Sequence, residues 1–152
     1  MLSDYQIILR LVLTVVLSGL IGLERQMHKR TAGLRTHILV SLGSCLIMLT
    51  SLYVFDIYKG VANLDPSRIA AGVITGIGFL GAGTIIRDRE GVKGLTTAAS
   101  LWVVAGICLA VGCGFKSAAV YATVLTLIVL FFLRYAEGII FMEEKASKNT
   151  RT

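Results

Sequence analysis

One proline in 152 residues, and charged side chains at only 16% of positions, set this sequence apart from ordinary soluble chains. A typical soluble domain carries about 25% charged residues. With so little proline, and sixteen glycines in no G-x-y period, neither a Pro-rich disordered chain nor a collagen fits. The three cysteines, Cys45, Cys108 and Cys113, are odd in number, lie in apolar stretches and form no CxxC pair. That excludes a disulfide framework and a zinc site, and leaves them as small packing residues. What the chain has in excess is apolar side chain: 55% of positions are hydrophobic, and mean hydropathy is +0.79. Several apolar stretches are too long and too free of charge for a water-facing fold, so a soluble enzyme core is excluded and a polytopic membrane protein is expected.

A hydrocarbon layer about 30 Å thick needs roughly 17–25 residues of helix. Five stretches qualify: Tyr5 to Leu23, His37 to Phe55, Ile69 to Ile86, Leu95 to Gly112 and Ser117 to Leu133. Backbone groups in lipid must bond within their own segment, so each is read as a helix. The expected fold is an all-α membrane bundle. Residues 1–133 form its transmembrane domain, and residues 134–152 a short cytoplasmic tail whose early part continues the last helix and whose end, from Ser147, is disordered. The first stretch is not read as a signal peptide, because Asp4 precedes Arg10 and no A-x-A cleavage pattern follows. Arg10 itself is expected to snorkel to the nearer headgroups, the alternative being that it faces the bundle interior.

The net charge of +6 follows topology before it suggests nucleic acid, for which no binding module is present. Lys and Arg number four in residues 24–36, two in 56–68, three in 87–94, one after the fourth span and four in the tail. This alternation fits an external N-terminus and an internal C-terminus.

Local constellations add to the hydropathy. Gly72, Gly76, Gly78, Gly81 and Gly83 crowd the third span, with small-xxx-small pairs at Gly72/Gly76 and Gly78/Ala82. Such pairs let helix backbones approach closely, here against spans one and four; the alternative is a discontinuous helix beside a cavity. The G-x-G-x-x-G at Gly76, Gly78 and Gly81 lies within an apolar span, outside the strand–turn–helix setting of a nucleotide site. In the fourth span Thr96, Thr97 and Ser100 can line a polar pocket, and Trp102 is expected to fill space beside the glycine face. Asp65 caps the third helix with Pro66 at its first position, and Arg68 is within reach of Asp65. Glu24, Lys29, Arg30, Arg35 and His37 form either an ion-pair belt on anionic lipid headgroups or, with Glu24 drawn inward as counter-ion to Arg25, Arg35 or Arg68, a buried polar site. No nucleophile, base or metal-ligand set converges, so no catalytic residue, metal or cofactor is expected.

In order along the chain, Gly22-Leu23-Glu24-Arg25-Gln26, Ala32-Gly33-Leu34-Arg35-Thr36-His37, Asp65-Pro66-Ser67-Arg68-Ile69-Ala70-Ala71, Gly76 to Gly83 and Gly94 to Trp102 resemble the MgtC/SapB membrane proteins of bacteria. The resemblance covers about residues 5–133. It implies a multi-pass protein of the bacterial plasma (inner) membrane with about five spans and a link to magnesium homeostasis. Members are described as modulators of other membrane machinery, including the F-type ATP synthase, and direct Mg²⁺ transport is not an established activity. Motif matching carries over Glu24, Arg25, Gly33, Arg35, Thr36, Asp65, Arg68, Gly78, Gly81, Gly83, Thr97 and Trp102. Virulence-associated members have a soluble C-terminal domain, which this chain is read as stopping too soon to contain. They also hold Asn and Cys where this chain has Thr96 and Val103. Both departures argue against transferring the virulence role. The expectation is a regulator that touches lipid and either a second copy or another membrane complex, with a cation transporter or oligomeric channel as the alternative.

Overall fold

The computed structural model describes residues 2–60, 64–89 and 91–149, which form five helices and one two-stranded hairpin. The helices are α1 (Asp4–Met27), α2 (Leu34–Tyr58), α3 (Ser67–Gly83), α4 (Leu95–Cys113) and α5 (Lys116–Asn149). All but α3 are long and apolar enough to cross a bilayer, α5 over Lys116–Leu133. The all-α bundle expected from hydropathy is therefore present. The last helix continues through Ser147–Asn149, where disorder was expected, and the rest of the expected disordered end, 150–152, lies outside the described residues.

The third span is shorter than its hydropathy suggests. Its 17 residues end at Gly83, and Ile86 belongs instead to β1 (Ile86–Asp88), paired antiparallel with β2 (Gly91–Lys93). Ile85 and Ile86 are apolar enough to read as the end of a membrane helix, but the turn at Thr84 closes α3 before them. The hairpin leads into α4 through Gly94, whose φ is +92°. A Cβ there would stand 1.9 Å from the Thr84 carbonyl oxygen, so only glycine fits this joint.

The helices are fixed by local chemistry at their ends. Ser3 and Gln6 form a reciprocal capping box at the start of α1. The Gln26 side chain accepts the Leu34 N–H at 3.1 Å, so the end of α1 caps the start of α2. The Asp65 carboxylate accepts hydrogen bonds from both the backbone and the hydroxyl of Ser67, each 2.8 Å, but the N-cap of α3 is Pro66, so Pro66 stands one position before the first helical place expected for it. Ser51 of α2 donates to the Pro66 carbonyl and ties the two helices there. At the end of α4, Gly114 is left-handed (φ +98°) and turns the chain directly into α5. The Arg10 guanidinium donates to the Gly112 carbonyl at the end of α4. An unsatisfied carbonyl at the negative end of a helix is a favourable partner for a cation.

α4 is the central helix and touches each of the other four. Its neighbours α1 and α2 complete the core around Leu17, Ile21, Leu49, Val104, Ile107 and Val111. α3 packs on the other side of α4 and α2 through Val73 and Ile77 against Leu101 and Ala105.

The tightest helix contacts involve glycines other than those of α3. A Cβ at Gly22 would lie 2.9 Å from the Leu34 Cα and the His37 Cβ, and one at Gly112 would lie 2.7 Å from the Met48 Cβ. By contrast, a Cβ at Gly72, Gly76, Gly78 or Gly83 would meet no described atom within 4 Å. The expected close packing of the α3 glycines inside the chain therefore holds only at Gly81, against Ala98. Trp102 is 54% exposed on α4 and does not fill the interior.

Candidate functional site

The end of the bundle where α1 finishes and α2 and α4 begin carries a buried polar cluster. Glu24 and Arg25 occupy the last turn of α1. The Arg25 Nε lies 2.8 Å from Glu24 Oε2, with Arg25 only 2% and Glu24 11% exposed. His28, one turn further on, brings Nδ1 to 3.0 Å from Glu24 Oε1. A charge taken out of water costs several kcal/mol, roughly, unless it is paired, so this pairing is what lets Arg25 sit inside the bundle.

Two hydrogen-bonded contacts between helices lie deeper. His37 is fully buried on α2, with Nδ1 2.9 Å from the Gly33 carbonyl and Nε2 3.1 Å from the Ser100 hydroxyl of α4. Ser100 also lies 2.8 Å from the Thr97 carbonyl. Ser18 of α1 and Ser41 of α2 share a bond of 2.7 Å, each also within reach of a carbonyl of its own helix. Below them the Thr14 hydroxyl faces the thiols of Cys45 and Cys108, both buried as the packing reading expects. Cys113 is exposed. Arg10, Thr14, Ser18 and Arg25 thus line one side of α1, and His37, Ser41 and Cys45 one side of α2. A polar seam results between α1, α2 and α4.

The candidate residues read from the sequence divide among three places. Glu24, Arg25 and Thr97 come together at this end, and Thr97 is buried. Arg35 and Thr36 occupy the first turn of α2 at the same end but are exposed. Asp65 and Arg68 lie at the opposite end, at the start of α3, and are exposed. Of the three partners considered for Glu24, Arg25 is the one in contact. The pattern of hydropathy and charge alone does not single out the seam residues Thr14, Ser18 and Ser41, and it suggests a headgroup belt for His37. The signal that finds them is small polar residues four apart in an otherwise apolar span, at 14/18 and 37/41/45. Among the described residues no group of three or more His, Cys, Asp or Glu could hold a metal ion.

A second feature is apolar. Gly43 and Ser44 of α2 face Gly72 and Gly76 of α3 across an open groove of about 460 Å³. Val40 and Leu80 join it to a neighbouring groove of about 390 Å³ beside Phe79 and Gly83. Phe79 is 83% exposed on this side of α3.

A family model described as the MgtC family matches residues 11–139. A protein of Escherichia coli (strain K12) named as a candidate magnesium transporter, YhiD, is 47% identical over 127 residues, covering 82% of this chain and 59% of its own length. Protein MgtC of Salmonella typhimurium (strain LT2) is 43% identical over 129 residues, covering 85% of this chain and 53% of its own. An uncharacterised protein of Haemophilus influenzae is 41% identical over 123 residues, covering 78% of this chain and 52% of its own. The chain thus spans between half and three fifths of the curated relatives it matches. No solved structure matches it.

Proposed function

Because this chain belongs to the MgtC family, we propose that it is a multi-pass protein of the bacterial plasma membrane that regulates other membrane proteins under magnesium limitation, by direct helix contact. The observation that carries this reading is the uncovered face of α3, with its open groove against α2. Glycines lower the surface of a helix so that another backbone can approach, and association between helices in lipid depends on such packing because hydrophobic driving force is lacking there. Within the chain this capacity is unused at Gly72, Gly76, Gly78 and Gly83. The occupant proposed is a transmembrane helix of another membrane complex or of a second copy, and the F-type ATP synthase is the complex that family resemblance suggests. The charge alternation of the loops supports an external N-terminus and an internal C-terminus, with the Glu24 end facing inward.

Gly76→Leu fills the groove and is expected to abolish co-purification of the partner while the isolated chain stays folded. Retention of the partner by a folded Gly76→Leu protein would end the reading.

A cation transporter is the second reading, supported by the buried polar seam and by the name given to the Escherichia coli relative. Ionisable groups inside a bundle commonly mark ion pathways. Mg²⁺ and monovalent-cation flux in liposomes holding only this protein separates the two. Saturable flux that falls in Glu24→Gln establishes transport, and absence of flux from folded, inserted protein leaves regulation.

A further inference from the structure

The hydrogen bonds around His37 can be counted atom by atom. The Gly33 carbonyl only accepts, so the ring nitrogen 2.9 Å from it, Nδ1, carries a proton. The other nitrogen, Nε2, faces the Ser100 hydroxyl at 3.1 Å, and that hydroxyl has a second partner in the Thr97 carbonyl at 2.8 Å. One hydroxyl hydrogen therefore has two acceptors within reach. When the ring is neutral, Ser100 donates to Nε2. When the ring is an imidazolium, Nε2–H donates to Ser100, and the hydroxyl hydrogen turns to the Thr97 carbonyl, whose second lone pair accepts it. Both states keep the polar atoms bonded with every heavy atom where it stands.

The surroundings supply the charges that such a site needs. The ring is wholly buried, and the ionised groups that face it are Glu24 and Arg25, both from α1. α4 presents the neutral Ser100 hydroxyl, and the ring's own helix presents the Gly33 carbonyl at its cap. Glu24 and Arg25 carry opposite charges 2.8 Å apart, so neutralising either one exposes the ring to the other. His28, 27% exposed, and Glu24, 11% exposed, are the partly exposed members of the cluster. The transport reading counts this contact as part of its seam, but the arrangement itself holds under regulation as well.

We propose that His37, with Ser100 as its rotating partner, is a proton-binding site buried between α1, α2 and α4. A proton from the aqueous phase at the Glu24 end is taken up by the Nε2 lone pair. The Ser100 O–H bond stays intact and swings from Nε2 to the Thr97 carbonyl. The cluster gains one positive charge, and the α2–α4 hydrogen bond reverses its donor without breaking.

Nitrogen-15 labelled histidine in the whole protein, reconstituted in lipid bilayers and followed by solid-state NMR between pH 4 and 9, tests this directly. The His37 signals are assigned through backbone correlations with Thr36 and Ile38. They are expected to pass in one reversible step from a neutral Nδ1–H ring to an imidazolium. Ser100→Ala deletes the acceptor of Nε2–H and is expected to weaken proton binding about fivefold, the difference between a hydrogen bond to the charged ring and the weaker one that Ser100 gives the neutral ring. Ser100→Thr restores a hydroxyl and the original midpoint, which separates the effect from general damage to the fold. Glu24→Gln is expected to move the midpoint to lower pH. A His37 ring that keeps one charge state across the range, or a titration that Ser100→Ala leaves in place in a folded protein, overturns the proposal.

Discussion

Arg25 brings a guanidinium into a space where only 2% of its side chain meets solvent, and its stability there depends on its neighbour Glu24 at 2.8 Å. Breaking a buried pair by removing one member typically costs about 3–5 kcal/mol, because the other charge is left without compensation. Arg25→Met is therefore expected to lower the melting temperature in detergent sharply, and the double change Arg25→Met with Glu24→Gln to recover part of the loss. Glycine substitutions should sort by contact rather than by motif. Gly22→Leu places a side chain against the backbone of α2 and is expected to cost at least 1–3 kcal/mol, roughly the penalty of overpacking a tight core. Gly76→Leu enters open space and should leave the melting temperature of the isolated chain nearly unchanged. Equal loss of stability in both variants would refute this distinction. From the sequence alone the order of importance looks reversed, because five glycines in one span stand out and a single Gly22 does not. Spacing reveals that a helix can be approached closely, whereas which helix does so depends on how all five pack.

The helices themselves were legible because length and hydropathy are properties of a single segment. Their boundaries were less so where a turn interrupts an apolar run, as at Thr84, where α3 ends and the hairpin begins. The start of α3 was legible from Asp-Pro-Ser, although Pro66 rather than Asp65 is the N-cap and the Asp65 carboxylate bonds Ser67 rather than the Arg68 side chain. The Ser67 hydroxyl and N–H, with Arg68 nearby, hold the Asp65 carboxyl below its usual range. A carboxylate depressed in the folded state stabilises it fully above its ordinary value, about pH 4, and loses that contribution as the pH falls further. The helical chemical shifts of the first turn of α3 are thus expected to weaken only below about pH 4, and Asp65→Ala to remove that acid step. An unchanged acid step in Asp65→Ala would show that another group controls the turn.

Across the whole molecule, the buried seam was partly legible: Glu24, Arg25 and Thr97 were marked by their positions at span ends, but their assembly with His37 and Ser100 needed three helices placed together. The proposed orientation has its own natural reporter. Cys113 is exposed beside the turn from α4 to α5, whereas Cys45 and Cys108 are buried. A membrane-impermeant maleimide added outside intact cells is expected to label Cys113, and labelling only after lysis would invert the topology. The shortness of α3 has a mechanical consequence for the bilayer itself. Seventeen residues rise about 25 Å, against a hydrocarbon layer of about 30 Å. Lipid beside α3 must thin or the helix must shift, at a cost of a fraction of a kcal/mol, roughly, per ångström of mismatch. Thinning there would fall on the same side as the glycine-lined groove, so acyl-chain length is expected to influence what the groove receives: a partner with an equally short helix would share the thinned zone and relieve it, and a full-length helix would not.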